Sequence, residues 1–238
     1  MATIIKHQEV IMEYKTIDLN KSREFFDPST IKEPIHIIGC GAIGSHVAEC
    51  LARLGVTNIH LWDDDVVNTH NIANQMFFAC DVKKPKVSAV AAMMCAINPS
   101  IVVTEHNERV KENARLKGYV FLCVDSIVPR QQITNTNMYN NKCKAIFDFR
   151  MGLLSGQFYC ADTAARMKTL LKTMNFTDEE ADMNTPKSAC NFELSVVYSI
   201  KALIGVGMNE VVKCWKGEPT ALTTLINLDT VPDCITQM

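Results

Sequence analysis

A glycine-spaced turn directly after an apolar run is the feature that most constrains this chain. The run Ile35–Ile38 has the composition of a buried strand, and it is followed by glycines at positions 39, 41 and 44 and then by a helical pattern. Gly39 permits a tight turn, Gly41 lets a ligand approach the backbone, and Gly44 lets the helix lie close to the strand. The free N–H groups at the start of such a helix favour an anion. The spacing therefore predicts a nucleotide site.

A second strand supports this interpretation. The helix after Gly44 carries apolar residues at helical spacing and ends at Gly55, and the strand-like run Thr57–Trp62 follows it. That run ends in three acidic residues, Asp63–Asp65. A Rossmann-type βαβ unit places an acidic residue at about this distance to bind a ribose hydroxyl.

The rest of the chain alternates between predicted strands and helices. We expect strands over 101–105, 119–124, 144–149, 156–160 and 221–228, helices over 86–97, 108–117, 130–141, 162–174 and 192–214, and an irregular segment over 175–191. This alternation predicts an α/β fold, Rossmann-like, with a mostly parallel sheet and helices on both faces. We expect one domain over 1–238, with an N-terminal arm (1–33), a nucleotide-binding core (34–160) and C-terminal helices and strand (161–238).

Charge and cysteine content exclude several classes of protein. The 24 basic and 26 acidic residues leave a net charge of −2, which draws the chain neither to nucleic acid nor to an anionic membrane. The ten cysteines form no C-x-x-C pair, so they predict neither a zinc knuckle nor a secreted disulfide framework. No run approaches the roughly 18 apolar residues that a membrane span needs. We therefore expect a cytoplasmic protein.

Four motifs, in this order, resemble the ThiF/MoeB family of the ubiquitin-activating-enzyme superfamily. Members of that family use ATP and Mg²⁺ to adenylate the C-terminal carboxylate of a ubiquitin-like protein. The resemblance covers residues 35–160 well and 185–228 loosely, and it implies a minimal, single-domain form. The motifs are Gly39–Gly44, the acidic strand end Trp62–Asp65, Asn71–Gln75 followed by Lys83–Val87, and Cys123–Ser126 with Arg130 behind it.

The resemblance implies a role for each matching residue. Asp63 would bind the ribose, Asn71 and Lys86 would bind the phosphates, and Asp125 would hold Mg²⁺. The residue types suit these roles, because Lys is a compact charge for phosphate and a carboxylate suits Mg²⁺. No general base is needed, since a carboxylate nucleophile is already ionised at pH 7. The expected nucleotide-binding set also includes Gly39, Gly41, Gly44, Asp65 and Gln75.

The chain departs from the family's pattern at three points. Asn74 stands where the family usually has an arginine on the phosphates, so a cation is missing where the leaving group develops. Arg23 in the N-terminal arm is a candidate replacement, because the family can supply an arginine from the partner subunit's arm. The paired C-x-x-C zinc ligands of many relatives are absent, so no structural zinc is expected. The length leaves no room for a separate cysteine domain.

Cys190 is a candidate acceptor of the activated acyl group. Relatives that go beyond adenylation pass the acyl group to a cysteine between the nucleotide domain and the long C-terminal helix, and Cys190 occupies that position. Lys187 and the following helix start would raise its thiolate fraction. The alternative is a cysteine packed as a small hydrophobe.

Three functions fit these patterns. The leading one is an ATP-dependent adenylyltransferase for a small ubiquitin-like protein or peptide with a C-terminal glycine. The resemblance and the apolar segment 192–214 predict that it works as a homodimer. A nucleotide-binding scaffold with weak catalysis is the second, for which Asn74 argues. An NAD-dependent oxidoreductase is the third, but it lacks an evident catalytic set and leaves Lys86 and Asp125 unexplained.

Overall fold

An eight-stranded sheet forms the centre of the computed structural model, which describes residues 16–184, 194–229 and 235–238. Its spatial order is β3-β2-β1-β4-β5-β6-β7-β8. The strands are β1 (Ile35–Ile38), β2 (Asn58–Trp62), β3 (Val102–His106), β4 (Gly118–Leu122), β5 (Cys143–Met151), β6 (Ser155–Ala161), β7 (Thr223–Asn227) and β8 (Ile235–Gln237). The α-helices in the described ranges are α1 (Ala42–Leu54), α2 (Lys86–Ile97), α3 (Ile127–Asn137), α4 (Ala164–Lys172), α5 (Asp178–Asn184) and α6 (Val197–Lys216).

The sheet has a parallel part and an antiparallel part. Strands β1 to β5 pair in parallel, whereas β5–β6, β6–β7 and β7–β8 pair antiparallel. The pairing changes from parallel to antiparallel between β5 and β6, which are joined by the short connection 152–154. A parallel pair would need a much longer crossover connection. The predicted α/β, mostly parallel, Rossmann-like sheet is confirmed. Strand β8 is not among the predicted strands.

Helices cover both faces of the sheet, as predicted. Alternate strand residues point to opposite sides, so Ile37 and Phe121 pack with α1, α2 and α6, while Ile38 and Leu122 pack with α3 and α4. Phe26 stacks on Trp215 near the end of α6, with ring centroids 5.5 Å apart. None of the helices in the described ranges is long and apolar enough to cross a bilayer.

The helix predicted over 108–117 is wrong. The segment contains a turn in which the Ala114 N–H donates to the Lys111 carbonyl at 2.9 Å. Side chains from the end of α3 bind the backbone here instead. The Leu116 N–H donates to Asn137 Oδ1 at 2.9 Å, and Asn140 Nδ2 donates to the Leu116 carbonyl at 2.7 Å. These long-range amide bonds replace the helical ones.

The prediction that 175–191 is irregular throughout is also wrong, because α5 begins inside it. A capping box starts this helix, with the Glu180 N–H donating to Thr177 Oγ1 at 3.2 Å and the Thr177 N–H donating to a Glu180 carboxylate oxygen at 2.8 Å. The predicted bounds of two other helices are shifted. The helix predicted over 130–141 is α3, and that over 192–214 is α6, which ends at Gly217 in a left-handed conformation.

Candidate active site

The turn between β1 and α1 lies against the carboxyl ends of β2 and β4. Gly39 has a φ of +91°, and its N–H donates to the Trp62 carbonyl at 2.8 Å. A Cβ on Gly39 would lie 2.9 Å from the carbonyl carbon of Cys123, and one on Gly44 would lie 1.8 Å from the Gly39 carbonyl oxygen. Backbone contacts of the fold itself therefore require both glycines.

Gly41 has room for a Cβ. It is the N-cap of α1 and offers no side-chain cap bond, so the first N–H groups of the helix remain for a ligand. The nearest described atom to a Cβ built on Gly41 is Gln75 Oε1, 4.0 Å away. That oxygen is buried and has no hydrogen-bond partner among the described residues. A partnerless acceptor beside an uncapped helix start fits a ligand that has both donors and an anionic group, as a nucleotide does.

The first turns of α1 hold the segment that carries Gln75. The Met76 N–H donates to Ser45 Oγ at 3.1 Å, and His46 Nε2 donates to the Asn74 carbonyl at 3.2 Å. Because a carbonyl oxygen can only accept, His46 carries its proton on Nε2. Burial lowers the pKa of His46 below its ordinary value, so the ring is neutral near pH 7. His46 therefore supplies no positive charge beside Asn74.

Asp63, the predicted ribose ligand, closes the same turn. One carboxylate oxygen accepts from the Cys40 N–H at 2.7 Å, and the other accepts from the Asp65 N–H at 2.9 Å. Burial raises the pKa of Asp63, and the two backbone N–H groups oppose that rise. Each carboxylate oxygen has a second lone pair, so Asp63 can still accept from a ribose hydroxyl.

Lys86 stands at the start of α2 and is 9% exposed. Its Nζ donates to Asp65 Oδ2 at 2.7 Å, and its backbone N–H donates to the Asp65 carbonyl at 2.9 Å. Asp65 is thus the residue that holds Lys86, a role that sequence reasoning misses. Asn71 is buried as well, and its Oδ1 accepts from the Asn68 N–H at 2.8 Å. The Nδ2 group of Asn71 is then the part of the side chain that can donate to a phosphate.

Asp125 follows β4 at the same edge of the sheet and is exposed. One of its carboxylate oxygens accepts from the Ser126 N–H at 2.8 Å. Behind it, the guanidinium of Arg130 on α3 is buried and donates to the carbonyls of Leu122 and Val124. An exposed carboxylate on a fixed strand end suits a Mg²⁺ ion that keeps several water ligands.

A buried ionic network beneath Asp125 is missed by sequence reasoning. Asp148 on β5 is fully buried and pairs with Arg130 and, at 2.7 Å, with Arg150. Arg150 also donates to the Thr173 carbonyl at 3.1 Å, and its guanidinium lies 4.6 Å from the centroid of the Tyr159 ring. The sequence signal for this network is an acidic residue inside an apolar strand, because buried carboxylates are almost always paired.

Arg23, a predicted site residue, is not brought into this group. The Arg23 N–H donates to the Leu19 carbonyl at 2.8 Å, and the Leu19 side chain packs where a Cβ on Gly55 would be. Gly55 ends α1, whose 13 residues extend about 20 Å, so Arg23 belongs to the opposite end of that helix from Gly41. Cys190 lies outside the described residues, and its role stays a prediction.

The relatives of this chain among known proteins include enzymes named as adenylyltransferases. Molybdopterin-synthase adenylyltransferase of Salmonella typhimurium is 28% identical over 149 residues, which cover 60% of this chain and 59% of the relative. The Escherichia coli molybdopterin-synthase adenylyltransferase is 27% identical over 184 residues, covering 74% and 67%. Ubiquitin-like modifier-activating enzyme 5 of Drosophila simulans is 31% identical over 117 residues, covering 42% and 29%. The chain therefore spans less than a third of that last relative.

Solved structures share the fold. E. coli MccB, crystallised with AMPCPP and selenomethionine MccA, superposes with a TM-score of 0.68 at 17% identity, covering 89% of this chain and 65% of MccB. PaaA superposes with a TM-score of 0.65 at 16% identity, covering 97% of this chain and 77% of PaaA. At these identities the likeness shows the architecture alone. The sequence model of the ThiF family, however, matches residues 31–235, and the protein therefore belongs to the ThiF family.

Proposed function

We propose that this protein is an ATP-dependent adenylyltransferase that activates the C-terminal carboxylate of a ubiquitin-like protein or peptide. The observation that carries the proposal is the uncapped start of α1 at Gly41, beside which Gln75 Oε1 has no hydrogen-bond partner in the described part of the chain. Lys86 and Asp125 stand at the same carboxyl edge of the sheet. Family membership supports the reaction class, since several relatives are adenylyltransferases.

The chemistry requires positive charge more than acid or base catalysis. The attacking carboxylate is already ionised at pH 7, so no residue has to remove a proton from it. Attack on the α-phosphate brings two anions together, and Lys86 and the N–H groups of α1 would stabilise the charge that develops. Asp125 would hold Mg²⁺, which draws charge from the pyrophosphate when it is bound. Asp63 would fix the nucleotide through its ribose.

Asn74 supports a second candidate, a nucleotide-binding relative with weak catalysis. Removing one donor to the developing charge lowers a rate by ~10²–10³. Full activity therefore needs a cation from elsewhere, and we propose that Arg23 of a second protomer supplies it. If the reaction continues beyond the adenylate, Cys190 is the proposed acyl acceptor.

The substrate class follows from the relatives. They include enzymes named for the sulfur carrier ThiS and for ubiquitin-like modifiers, and the MccB crystal also contains MccA. We propose a small protein or peptide with a C-terminal glycine, because a terminal residue without a side chain is the easiest to pass into a site built on backbone. The nucleotide is ATP in this proposal, and NAD is the competing ligand.

ATP–pyrophosphate exchange with a glycine-ended peptide or carrier protein tests the proposal. We expect exchange in the wild-type protein and thermal stabilisation by Mg·ATP but not by NAD. Lys86→Ala and Asp125→Ala should each lower exchange by about 10²-fold or more, because the first removes a positive charge from beside the phosphates and the second removes the proposed ligand of Mg²⁺. Lys168→Ala is the matched control, since Lys168 is an exposed lysine on α4, on the opposite face of the sheet from α2.

The outcomes separate the candidates. Binding of Mg·ATP without exchange would favour the weakly catalytic relative. Stabilisation by NAD alone would favour an oxidoreductase. Equal Mg·ATP affinity in calorimetry for wild type, Lys86→Ala and Asp125→Ala, all folded by thermal denaturation, would remove both residues from the site.

A further inference from the structure

The N-terminus of α3, directly after Asp125, is capped by a residue from far along the chain. Its own N-cap residue, Ser126, makes no side-chain cap bond. Asp178 takes that place, because one of its carboxylate oxygens accepts from the Ile127 N–H at 2.6 Å and the other accepts from Ser126 Oγ at 2.6 Å. A carboxylate at this position satisfies a helix N–H and complements the positive end of the helix dipole.

This contact fixes the backbone that presents Asp125. Ser126 donates its N–H to Asp125 and its hydroxyl to Asp178, so the two carboxylates bind the same residue. On the other side, Arg130 holds the Val124 carbonyl, directly before Asp125. The strand end that carries the predicted metal ligand is therefore held from both sides, by the guanidinium of α3 and by the carboxylate of Asp178.

Asp178 is itself held in place. The Thr177–Glu180 capping box shapes the first turn of α5, in which Asp178 lies. Thr173 lies five residues before Asp178, and Arg150 donates to its carbonyl at 3.1 Å and to its hydroxyl at 3.0 Å. The segment between α4 and α5 is thus tied to the buried network under β5 at one end and to α3 at the other.

We propose that Asp178 is a positioning residue for Asp125, so that docking of α5 on α3 and binding of Mg·ATP stabilise each other. The inference rests on the proposed function, because it concerns the metal that Asp125 would hold. Asp178 acts through Ser126 and Ile127 and takes no part in the chemistry. Reciprocity is required by linkage, since a contact that improves nucleotide binding must itself be strengthened by the nucleotide.

The test uses the full chain and two readouts that do not depend on turnover. Calorimetry measures the affinity for Mg²⁺ with a non-hydrolysable ATP analogue, and hydrogen exchange follows the Ile127 amide and α5 with and without that ligand. Asp178→Ala should weaken affinity about tenfold, the usual effect of losing a residue that orients a metal ligand. It should also speed exchange at Ile127 about fivefold, through loss of the cap.

Three further variants allow the proposal to be tested if Asp178→Ala folds poorly. Asp178→Asn retains an acceptor for the Ile127 N–H, and Ser126→Ala removes only the hydroxyl bond, so both should show smaller losses in the same direction. Glu179→Ala changes the neighbouring exposed carboxylate of α5 and should behave like wild type. In ATP–pyrophosphate exchange, Asp178→Ala should have a larger effect on KM for Mg·ATP than on kcat, because Asp178 positions the metal ligand.

The inference and the proposed function fail in different ways. If the wild type binds the Mg²⁺–analogue complex and Asp178→Ala binds it equally well while exchange at Ile127 rises, Asp178 is a local cap and the coupling is wrong. The coupling is equally wrong if the ligand leaves exchange in α5 of the wild type unchanged. If the wild type binds no Mg²⁺–analogue complex, the proposed function fails and the coupling fails with it.

Discussion

His36 on β1 shows how one buried side chain makes the stability of this protein depend on pH. The Trp62 Nε1–H donates to His36 Nδ1 at 3.2 Å, and His36 Nε2 donates to the Lys117 carbonyl at 3.1 Å. Both ring nitrogens are therefore used in the neutral form. Burial, and then the neighbouring His60, lower the pKa of His36 to about 4. His106 is the third ring of this cluster, with its Nε2 3.1 Å from His60 Nδ1.

We expect acid to destabilise the protein through His36. In the unfolded chain the His36 ring titrates near its ordinary pKa. Between about pH 6.5 and 4 the unfolded state therefore binds more protons than the folded state, and the stability of the protein falls as the pH falls. Between about pH 7.5 and 5 this amounts to roughly 1–2 kcal/mol. Urea unfolding at both pH values should show a loss of at least that size in wild type, because the lowered pKa values of His46, His60 and His106 act in the same direction, and a smaller loss in His36→Gln. An equal loss in both proteins would contradict the assignment.

At the scale of elements, the β1–α1 turn contains two glycines that the fold requires and one that a ligand would require. Gly39 and Gly44 face backbone at distances that a Cβ cannot occupy, whereas the nearest described atom to a Cβ on Gly41 lies 4.0 Å away. The same motif therefore contains two kinds of constraint. Substitutions can separate them, because one should damage folding and the other only binding.

We expect Gly44→Ala to destabilise the protein by more than about 3 kcal/mol, because the new Cβ would overlap the Gly39 carbonyl oxygen. Gly41→Ala should destabilise the protein by less, about 1 kcal/mol, because the nearest described atom to the new Cβ lies 4.0 Å away. It should nevertheless weaken Mg·ATP binding at least about tenfold, because the methyl group stands where the ligand approaches. Urea unfolding and calorimetry measure the two effects, and normal nucleotide affinity in Gly41→Ala would place the ligand elsewhere.

The elements that sequence reasoning predicts well are those with local signals. The strand at Ile35–Ile38, the helix that ends at Gly55 and the strand before Asp63 each have apolar periodicity and a terminating residue. The segment 108–117 has helix-forming residues too, but Asn137 and the neighbouring Asn140 bind its backbone from another element. No local pattern reports that competition, so the helix is predicted and does not form.

At the scale of the whole molecule, the sheet brings the carboxyl ends of the five parallel strands, β1 to β5, to one edge, and α6 packs against α1 on one face. The start of α6 leaves Val197 and Tyr198 exposed, at 37% and 59%.

Arg23 lies at the end of α1 that is remote from Gly41. Any catalytic role for Arg23 must therefore be played in a second copy of the chain.

We expect a homodimer, which light scattering would show as twice the chain mass of 26.6 kDa. If Arg23 acts across the dimer, Arg23→Ala and Lys86→Ala should each lower ATP–pyrophosphate exchange when expressed alone. Co-expression of the two variants should restore part of it, because the mixed dimer contains one site with an intact Lys86 and an intact Arg23 from the other protomer. A monomer at micromolar concentrations, or co-expressed variants that remain inactive, would count against this arrangement.

The sequence by itself determined the glycine turn, the acidic strand ends, most of the order of strands and helices, and the family, because these depend on residues close together in the chain. The tertiary structure decided what each site residue contacts. Asp65 holds Lys86, Asp63 binds the Cys40 N–H, and Asp178 caps α3 from 51 residues away. A carboxylate's partners depend on which strand ends and helix starts meet in space, and that meeting is fixed by packing across the whole sheet.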